Sequence, residues 1–139
     1  MQKKLKIAKE ISLLMPRIAR RILLSFFQTV AIPQTQLFTI MALDDLGPSR
    51  LTDLKKKLQI AAPTVTGIID RLEKQGYVTR TPDTQDRRAI YIHLTPKGDQ
   101  IAKKLRATLK KRWLEILVKL SQEDCENYLT ILKKIQQNL

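Results

Sequence analysis

Histidine, cysteine and glycine are all scarce in this chain of 139 residues, which contains one His, one Cys and four Gly residues. His93 and Cys125 alone supply neither a Cys-His nucleophile pair nor the ligand set of a usual zinc site. The sequence also has no glycine-rich phosphate loop. A single cysteine excludes an intramolecular disulfide and fits a reducing compartment. We therefore expect a cytoplasmic protein that is not an enzyme and holds no metal or cofactor.

Acidic residues are also few. The chain has 13 Asp and Glu residues and 26 Lys and Arg residues, which gives a net charge of +13. This excess favours a polyanionic partner, with nucleic acid as the first candidate and an anionic membrane surface as the second. Long apolar runs are missing too. The apolar run over residues 22–33 contains Gln28 and is too short to cross a bilayer, so we expect neither a membrane span nor a targeting segment.

An amphipathic helix is predicted over residues 63–75, after two short helices and before a charged hairpin. That order is typical of a winged helix-turn-helix, in which this helix would be the recognition helix. Its apolar stripe follows the i, i+3, i+4, i+7 spacing of a buried face and consists of Val65, Ile68, Ile69 and Leu72. Its opposite face consists of Thr64, Gly67, Arg71 and Lys74, with Thr66 and Asp70 at the flanks. Such groups can approach base edges and phosphates in a major groove, although any solvated helix face is also polar.

Gly67 is an unfavourable residue inside this helix, because glycine costs roughly 1 kcal/mol relative to alanine. Either close approach of DNA or a packing constraint would explain its presence.

A β-hairpin is predicted after Gly76, which lies where a helix stop needs a positive φ. Alternation predicts strands over residues 77–81 and 89–94, with one side formed by Val78, Ile90, Ile92 and Leu94. The loop over residues 82–88 contains Asp86, Arg87 and Arg88. Adjacent arginines with a nearby carboxylate suit the negative potential of a minor groove, and a solvated turn is the alternative.

The remaining helices are predicted from their caps and stripes. A first helix reaches about Gln28 and is interrupted near Pro16, either by a kink or by a restart after Ser12. Thr35 and Thr52 are expected to cap the second and third helices, whereas Ala61 gives the recognition helix no polar cap. Helix starts are also predicted at the pair Thr95-Pro96 and at Ser121, where Asp124 completes an approximate capping box.

The terminal helices carry more apolar surface than a small winged lobe needs for its own core. Their stripes are formed by Ile7, Ile11, Leu14, Ile18, Ile22 and Phe26, then by Ile101, Leu105, Leu109, Trp113, Ile116 and Leu120, and finally by Cys125, Tyr128, Leu129, Leu132, Ile135 and Leu139. Dimerisation would bury this surface, and an intramolecular bundle is the alternative.

Three stretches together resemble the MarR family of transcriptional regulators, and the resemblance covers nearly the whole chain. They are the recognition segment PTVTGIIDRLEKQGYV, the wing DTQDRR and the segment LTPKG. The resemblance implies a mainly α-helical fold with a small β-hairpin wing in a single domain over residues 1–139. Residues 33–98 would form the winged lobe, and residues 1–32 and 99–139 would form dimerisation helices. It further implies that Arg88 enters the minor groove and that Asp86 holds it.

The expected function is that of a homodimeric regulator, most simply a repressor, that binds a pseudo-palindromic operator in double-stranded DNA. A sequence-tolerant architectural DNA-binding protein is the alternative. The residues expected to contact DNA are Arg50, Thr64, Thr66, Arg71, Lys74, Asp86, Arg87 and Arg88. The resemblance also implies an effector cleft for a small anionic aromatic ligand. Its candidate residues are Arg17, Arg21, Phe26, Phe27, Phe38, Met41 and Trp113, although core packing explains the apolar ones equally well.

Overall fold

The computed structural model describes residues 1–139, with the exception of the Thr29 side chain. In chain order its elements are α1 (Gln2–Thr29), α2 (Gln34–Leu46), α3 (Leu51–Leu58), α4 (Ala62–Lys74), β1 (Val78–Pro82), β2 (Ile90–Leu94), α5 (Pro96–Leu117) and α6 (Gln122–Gln137). The expectation of a mainly helical chain with one small hairpin is therefore confirmed. The chain divides into two compact units, a lobe unit of residues 25–106 and a terminal unit of residues 1–24 with 107–139.

The core of the lobe unit lies where α2, α3, α4 and the hairpin meet. Ile40 on α2, Leu54 on α3 and Ile69 on α4 have no exposed surface. The core cluster consists of Ile40, Ala42, Leu43, Leu54, Val65, Ile68, Ile69, Leu72, Val78, Ile92 and Ala102. All four apolar positions predicted for the recognition helix belong to it, so the helical period identified the buried face correctly.

Two predicted caps of the lobe helices are wrong. Helix α2 begins at Gln34 after Pro33 and has no side-chain cap, so Thr35 lies inside the first turn. Helix α3 begins at Leu51, and the Asp53 carboxylate at its third position accepts a hydrogen bond of 2.9 Å from the backbone N–H of Arg50. A carboxylate at that position satisfies the helix start from inside the first turn, so no capping Thr is needed.

The wing is an antiparallel hairpin in which Val78 pairs with Leu94 and Pro82 pairs with Ile90. Val78 and Ile92 are buried and Leu94 is half-buried, as the alternation predicted. Ile90 is different because half of its surface is exposed. It pairs with the last residue of β1, at the loop end of the hairpin, so it lies on the predicted side of the strand but beyond the part that the lobe core covers.

The segment Thr95–Gly98, where α5 begins, is connected by hydrogen bonds to the end of the recognition helix. The Thr95 hydroxyl accepts from the N–H of Gly98 at 3.2 Å and donates to the carbonyl of Gly76. The Lys97 ammonium donates to the Gln75 carbonyl at 2.7 Å and lies 4.5 Å from the centre of the Tyr77 ring. A Cβ on Gly98 would lie 2.1 Å from the Tyr77 carbonyl oxygen, so only glycine fits there. The helix start predicted at Thr95-Pro96 is confirmed, as is the positive φ of Gly76.

The terminal unit leaves its apolar stripes largely exposed. Helix α1 continues through Pro16, which excludes a restart there, and every residue from Met1 to Arg21 is exposed. Helix α6 has no buried residue. The Ser121 hydroxyl accepts from the N–H of Asp124 at 3.1 Å, which confirms the predicted cap of α6. None of the helices described combines the length and apolarity that a membrane crossing needs.

Candidate nucleic-acid interface

The recognition helix α4 turns its polar face away from the lobe core. Thr64, Arg71 and Lys74 are exposed, as expected for groups that meet a partner. Thr66 is half-buried, and its hydroxyl donates to the carbonyl of Ala62 at 3.0 Å. The Thr66 hydroxyl is thus engaged with its own helix. Ala61 precedes the helix without a side-chain cap, and Pro63 occupies the first turn.

Gly67 lies on this polar face with free space above it. The nearest non-neighbouring atom to a Cβ built there is an Nη of Arg71, 3.9 Å away. Packing within the protein therefore does not require glycine at this position, which removes one of the two explanations for a residue that costs the helix roughly 1 kcal/mol.

Arg80 joins the wing to the recognition helix. Its guanidinium donates to Asp70 at 2.6 Å and to Glu73 at 2.8 Å, so a β1 side chain bridges two carboxylates one turn apart on α4. Burial opposes the charge of Arg80, but the hydrogen bond to Asp70 and the charge of Glu73 outweigh it and raise the pKa of the guanidinium. Arg80 is not among the residues predicted from the sequence. The available signal was the i, i+3 acidic pair on a helix followed by a strand that contains an arginine.

The wing tip is ordered by its two aspartates. Asp86 accepts a hydrogen bond of 3.0 Å from the backbone N–H of Arg88, and its carbonyl accepts from the N–H of Ala89 at 3.0 Å. Asp83 accepts from the N–H of Gln85 at 3.1 Å. In this structure Asp86 therefore fixes the backbone of Arg88 through a tight turn and does not contact its guanidinium, which differs from the expected arrangement.

The arginines of the wing tip form a surface that attracts anions. Arg87 and Arg88 are both exposed. Neither guanidinium is within ion-pair distance of a carboxylate among the side chains described. Arg50, at the start of α3, adds a third cation that is held against the hairpin. Its guanidinium lies 5.4 Å from the centre of the Tyr91 ring and 4.0 Å from the Asp83 carboxylate.

The neighbours of Arg50 favour its charged form. The interaction with Tyr91, and after it the charges of Asp83 and Asp86, raise the pKa of the guanidinium against the opposing effect of burial. A guanidinium is protonated at every pH at which DNA binding is measured, so these contacts orient Arg50 and Arg80 and do not decide their charge. The single histidine of the chain, His93, is half-buried on β2 and shares a hydrogen bond with the Thr81 hydroxyl.

The candidate effector residues are not brought together within either unit. Arg17, Arg21 and Trp113 belong to the terminal unit, whereas Phe26, Phe27, Phe38 and Met41 belong to the lobe unit. Phe26 is fully buried and packs edge-to-face on Phe27, with ring centroids 6.3 Å apart, so it serves the core. Trp113 lines an apolar groove of about 390 Å³ between α5 and α6, together with Leu117, Gln122, Cys125, Glu126, Tyr128, Leu129 and Leu132.

A metal site is not found among the residues described. In that part of the chain no three His, Cys, Asp or Glu side chains converge as metal ligands would. Cys125 is half-buried in the α5–α6 groove, with its thiol 3.5 Å from the Leu117 carbonyl. A small core-facing cysteine is consistent with that position.

Comparison with known proteins gives consistent matches. The family model described as the MarR family matches residues 32–90. The HTH-type transcriptional regulator YkoM of Bacillus subtilis is 32% identical over 88 residues, which cover 63% of this chain and 57% of that protein. The match thus spans little more than half the length of this relative.

Two solved structures extend the likeness over almost the whole chain. The transcriptional regulator Tm0710 of Thermotoga maritima is 31% identical, with a TM-score of 0.67 and coverage of 99% of this chain and 94% of that one. FabT of Streptococcus pneumoniae, solved in complex with DNA, has a TM-score of 0.81 at 24% identity and covers 94% and 95% of the two chains. Three findings agree. The elements follow the order α2, α3, α4, β1, β2, the family model matches this part of the chain, and the likeness to a transcriptional regulator extends over the full length. The chain therefore belongs to the MarR family of winged helix-turn-helix transcriptional regulators, which are not enzymes.

Proposed function

We propose that this protein is a cytoplasmic repressor that binds a pseudo-palindromic operator in double-stranded DNA as a homodimer. The observation that carries the proposal is the orientation of α4, whose four apolar residues are buried while Thr64, Arg71 and Lys74 face outward. A helix with this division can lie in a major groove and present hydrogen-bonding and cationic groups to it. The similar FabT structure, solved with DNA, supports the same use of the fold.

The wing and the start of α3 complete the proposed interface. Arg88 on the ordered wing tip would enter the minor groove, and Arg87 lies next to it. Arg50 and Lys74 would reach phosphates, where they position the protein without reading sequence. The net charge of +13 would strengthen this sequence-independent part of binding.

The homodimer is proposed from the uncovered apolar surface of the terminal unit. Leu5, Ile11 and Leu14 on α1 are each at least half exposed, and so is Leu129 on α6. Apolar side chains repeated along a helix seldom stay in water, so a second copy would cover them. Because hydrophobic burial is not screened by salt, sedimentation should show a dimer at both low and high salt. A stable folded monomer at micromolar concentration would contradict the dimer.

We also propose that a small anionic aromatic ligand releases the operator. Arg17 and Arg21 are exposed cations on α1, and Trp113 is half-buried beside an apolar groove. Since the chain has one Trp, its fluorescence reports on that groove alone. An aromatic acid that neither changes this fluorescence nor releases operator DNA at millimolar concentration would exclude this part of the proposal.

The proposed DNA contacts are tested in two steps. Bound fragments are first selected from random duplexes, and the affinities of two variants for the selected operator and for other duplexes are then measured. Arg88→Ala should weaken binding to the selected operator by about 1–3 kcal/mol, most strongly where A·T-rich flanks narrow the minor groove. Lys74→Ala should weaken binding to every duplex and lower the salt slope by about one for each phosphate that the lysine neutralises. If selection enriches no sequence, the protein binds DNA as an architectural protein would, and the repressor assignment is wrong.

A further inference from the structure

The recognition helix carries one position at which the fold and the sequence disagree. Glycine is the least favourable residue in a helix interior apart from proline, yet Gly67 lies in the middle of α4. Gly47 and Gly76 have a positive φ, whereas Gly67 does not. Any L-residue could therefore adopt its backbone conformation.

The space around Gly67 also admits a side chain. The nearest non-neighbouring atom to an added Cβ is 3.9 Å away, an ordinary van der Waals separation, and it belongs to the flexible end of Arg71. Gly98 provides the contrast, because a Cβ there would meet the backbone of Tyr77 at 2.1 Å. Gly98 is required by packing within the lobe, and Gly67 is not.

Gly67 lies on the side of α4 that faces away from most of the lobe core, and it is half-buried among the exposed side chains of that side. At about 100° per residue, the buried residues Val65 and Ile69 lie roughly 160° away from it around the helix. Its neighbours on the polar face are Thr64, three residues before it, and Arg71, four residues after it. A missing side chain at this point leaves a strip of bare backbone between a hydroxyl and a guanidinium.

We propose that Gly67 is the point of closest approach between the protein and DNA, where the bare helix backbone faces the base edges of the major groove. The inference rests on the proposed DNA-binding function. A Cβ would hold the helix away by roughly one carbon–carbon bond, about 1.5 Å. Hydrogen bonds weaken steeply with distance and misalignment, so that displacement would move Thr64 and Arg71 out of reach of base edges. Gly67 is therefore a positioning residue for sequence readout.

The test compares Gly67→Ala with the wild-type protein for both stability and DNA affinity. The melting temperature should rise by several degrees, because alanine favours the helix and no packing opposes it. Affinity for the selected operator should fall roughly ten-fold or more. Affinity for random duplexes should stay within about two-fold of the wild-type value. The salt slope of this affinity should not change, because the variant has the same charge. Gly67→Leu, which also favours the helix, should lower operator affinity further.

The matched control is Ala61→Ser at the start of the same helix. Ala61 is an exposed N-cap with no side-chain hydrogen bond, so serine should also raise the melting temperature without adding atoms at Gly67. If Ala61→Ser keeps operator affinity while Gly67→Ala loses it, stabilisation of α4 is not the cause of the loss.

Two results would overturn the inference while leaving the proposed function intact. One is a Gly67→Ala variant that prefers the operator as strongly as the wild type does. The other is a Gly67→Ala variant with a lower melting temperature, since glycine would then be required by the fold. A wild-type protein without any sequence preference would instead refute the proposed function, and the inference with it.

Discussion

The link between the wing and the recognition helix predicts that Arg80→Ala weakens both the fold and DNA binding. Arg80 makes ion pairs of 2.6 Å with Asp70 and 2.8 Å with Glu73, and its side chain is only 24% exposed. The carboxylates are 60% and 42% exposed, so solvent screens them and each pair contributes at most about 1 kcal/mol. The two pairs together predict a decrease of up to about 2 kcal/mol in the free energy of unfolding.

The effect on DNA follows from charge. Arg80→Ala leaves two unpaired carboxylates on α4, the helix proposed to face DNA, and removes one positive charge. Affinity should therefore fall for the operator and for random duplexes alike, with a further decrease for the operator because the wing is no longer fixed to α4. Unfolding is followed by far-UV circular dichroism in urea at constant protein concentration, and affinity by titration of labelled duplexes.

Lys103→Ala is the matched control for this variant. Lys103 pairs with Asp99 at 2.8 Å on the exposed surface of α5, so its replacement removes the same charge and one surface ion pair without touching α4 or the wing. A double-mutant cycle of Arg80→Ala with Asp70→Ala should give a coupling of about 0.5–1 kcal/mol. If Arg80→Ala changes stability and DNA affinity no more than Lys103→Ala does, Arg80 does not hold the wing and α4 together.

Variants at three further residues test other parts of the structure. Gly98→Ala should destabilise the protein by about 1–3 kcal/mol in urea unfolding, because its Cβ would meet the Tyr77 carbonyl at 2.1 Å; unchanged stability would contradict this packing. Asp86→Asn should keep operator affinity, since an amide oxygen can still accept from the N–H of Arg88, whereas Asp86→Ala should reduce it as the turn loosens. Equal affinities for the two Asp86 variants would exclude the turn as its role. Lys97→Met should lower the free energy of unfolding by about 0.3–1 kcal/mol, because it removes a positive charge from the end of α4, and a higher melting temperature would refute that interaction.

The helices of the lobe were predictable because their signals are local. Val65 and Leu72 follow the period of a helix with one buried face, and Gly76 ends it with a positive φ. Ser121 caps α6 through a hydrogen bond that spans three residues. Each of these features depends on residues within one or two helical turns, so the sequence alone contains the necessary information.

The features that were missed depend on how segments meet. Arg80 reaches Asp70 and Glu73 only because the chain turns back from α4 into β1. The alternation that includes Ile90 shows which side of the strand it occupies, but not that the lobe core ends before the tip of the hairpin. The resemblance implies that Asp86 holds the Arg88 side chain, whereas in the structure its carboxylate contacts the backbone N–H of Arg88, because a short carboxylate reaches a backbone N–H two residues on more readily than a distant guanidinium.

The most direct test of sequence-specific recognition is the ratio of operator affinity to random-duplex affinity across a salt series. A regulator that reads bases through α4 should prefer its operator by a factor on the order of 10³ or more at physiological salt. The ratio should hold or grow as salt rises, because the phosphate interactions shared by both complexes weaken together. A ratio near one at every salt concentration would mean that the charge of +13 alone drives binding, and would contradict sequence-specific recognition.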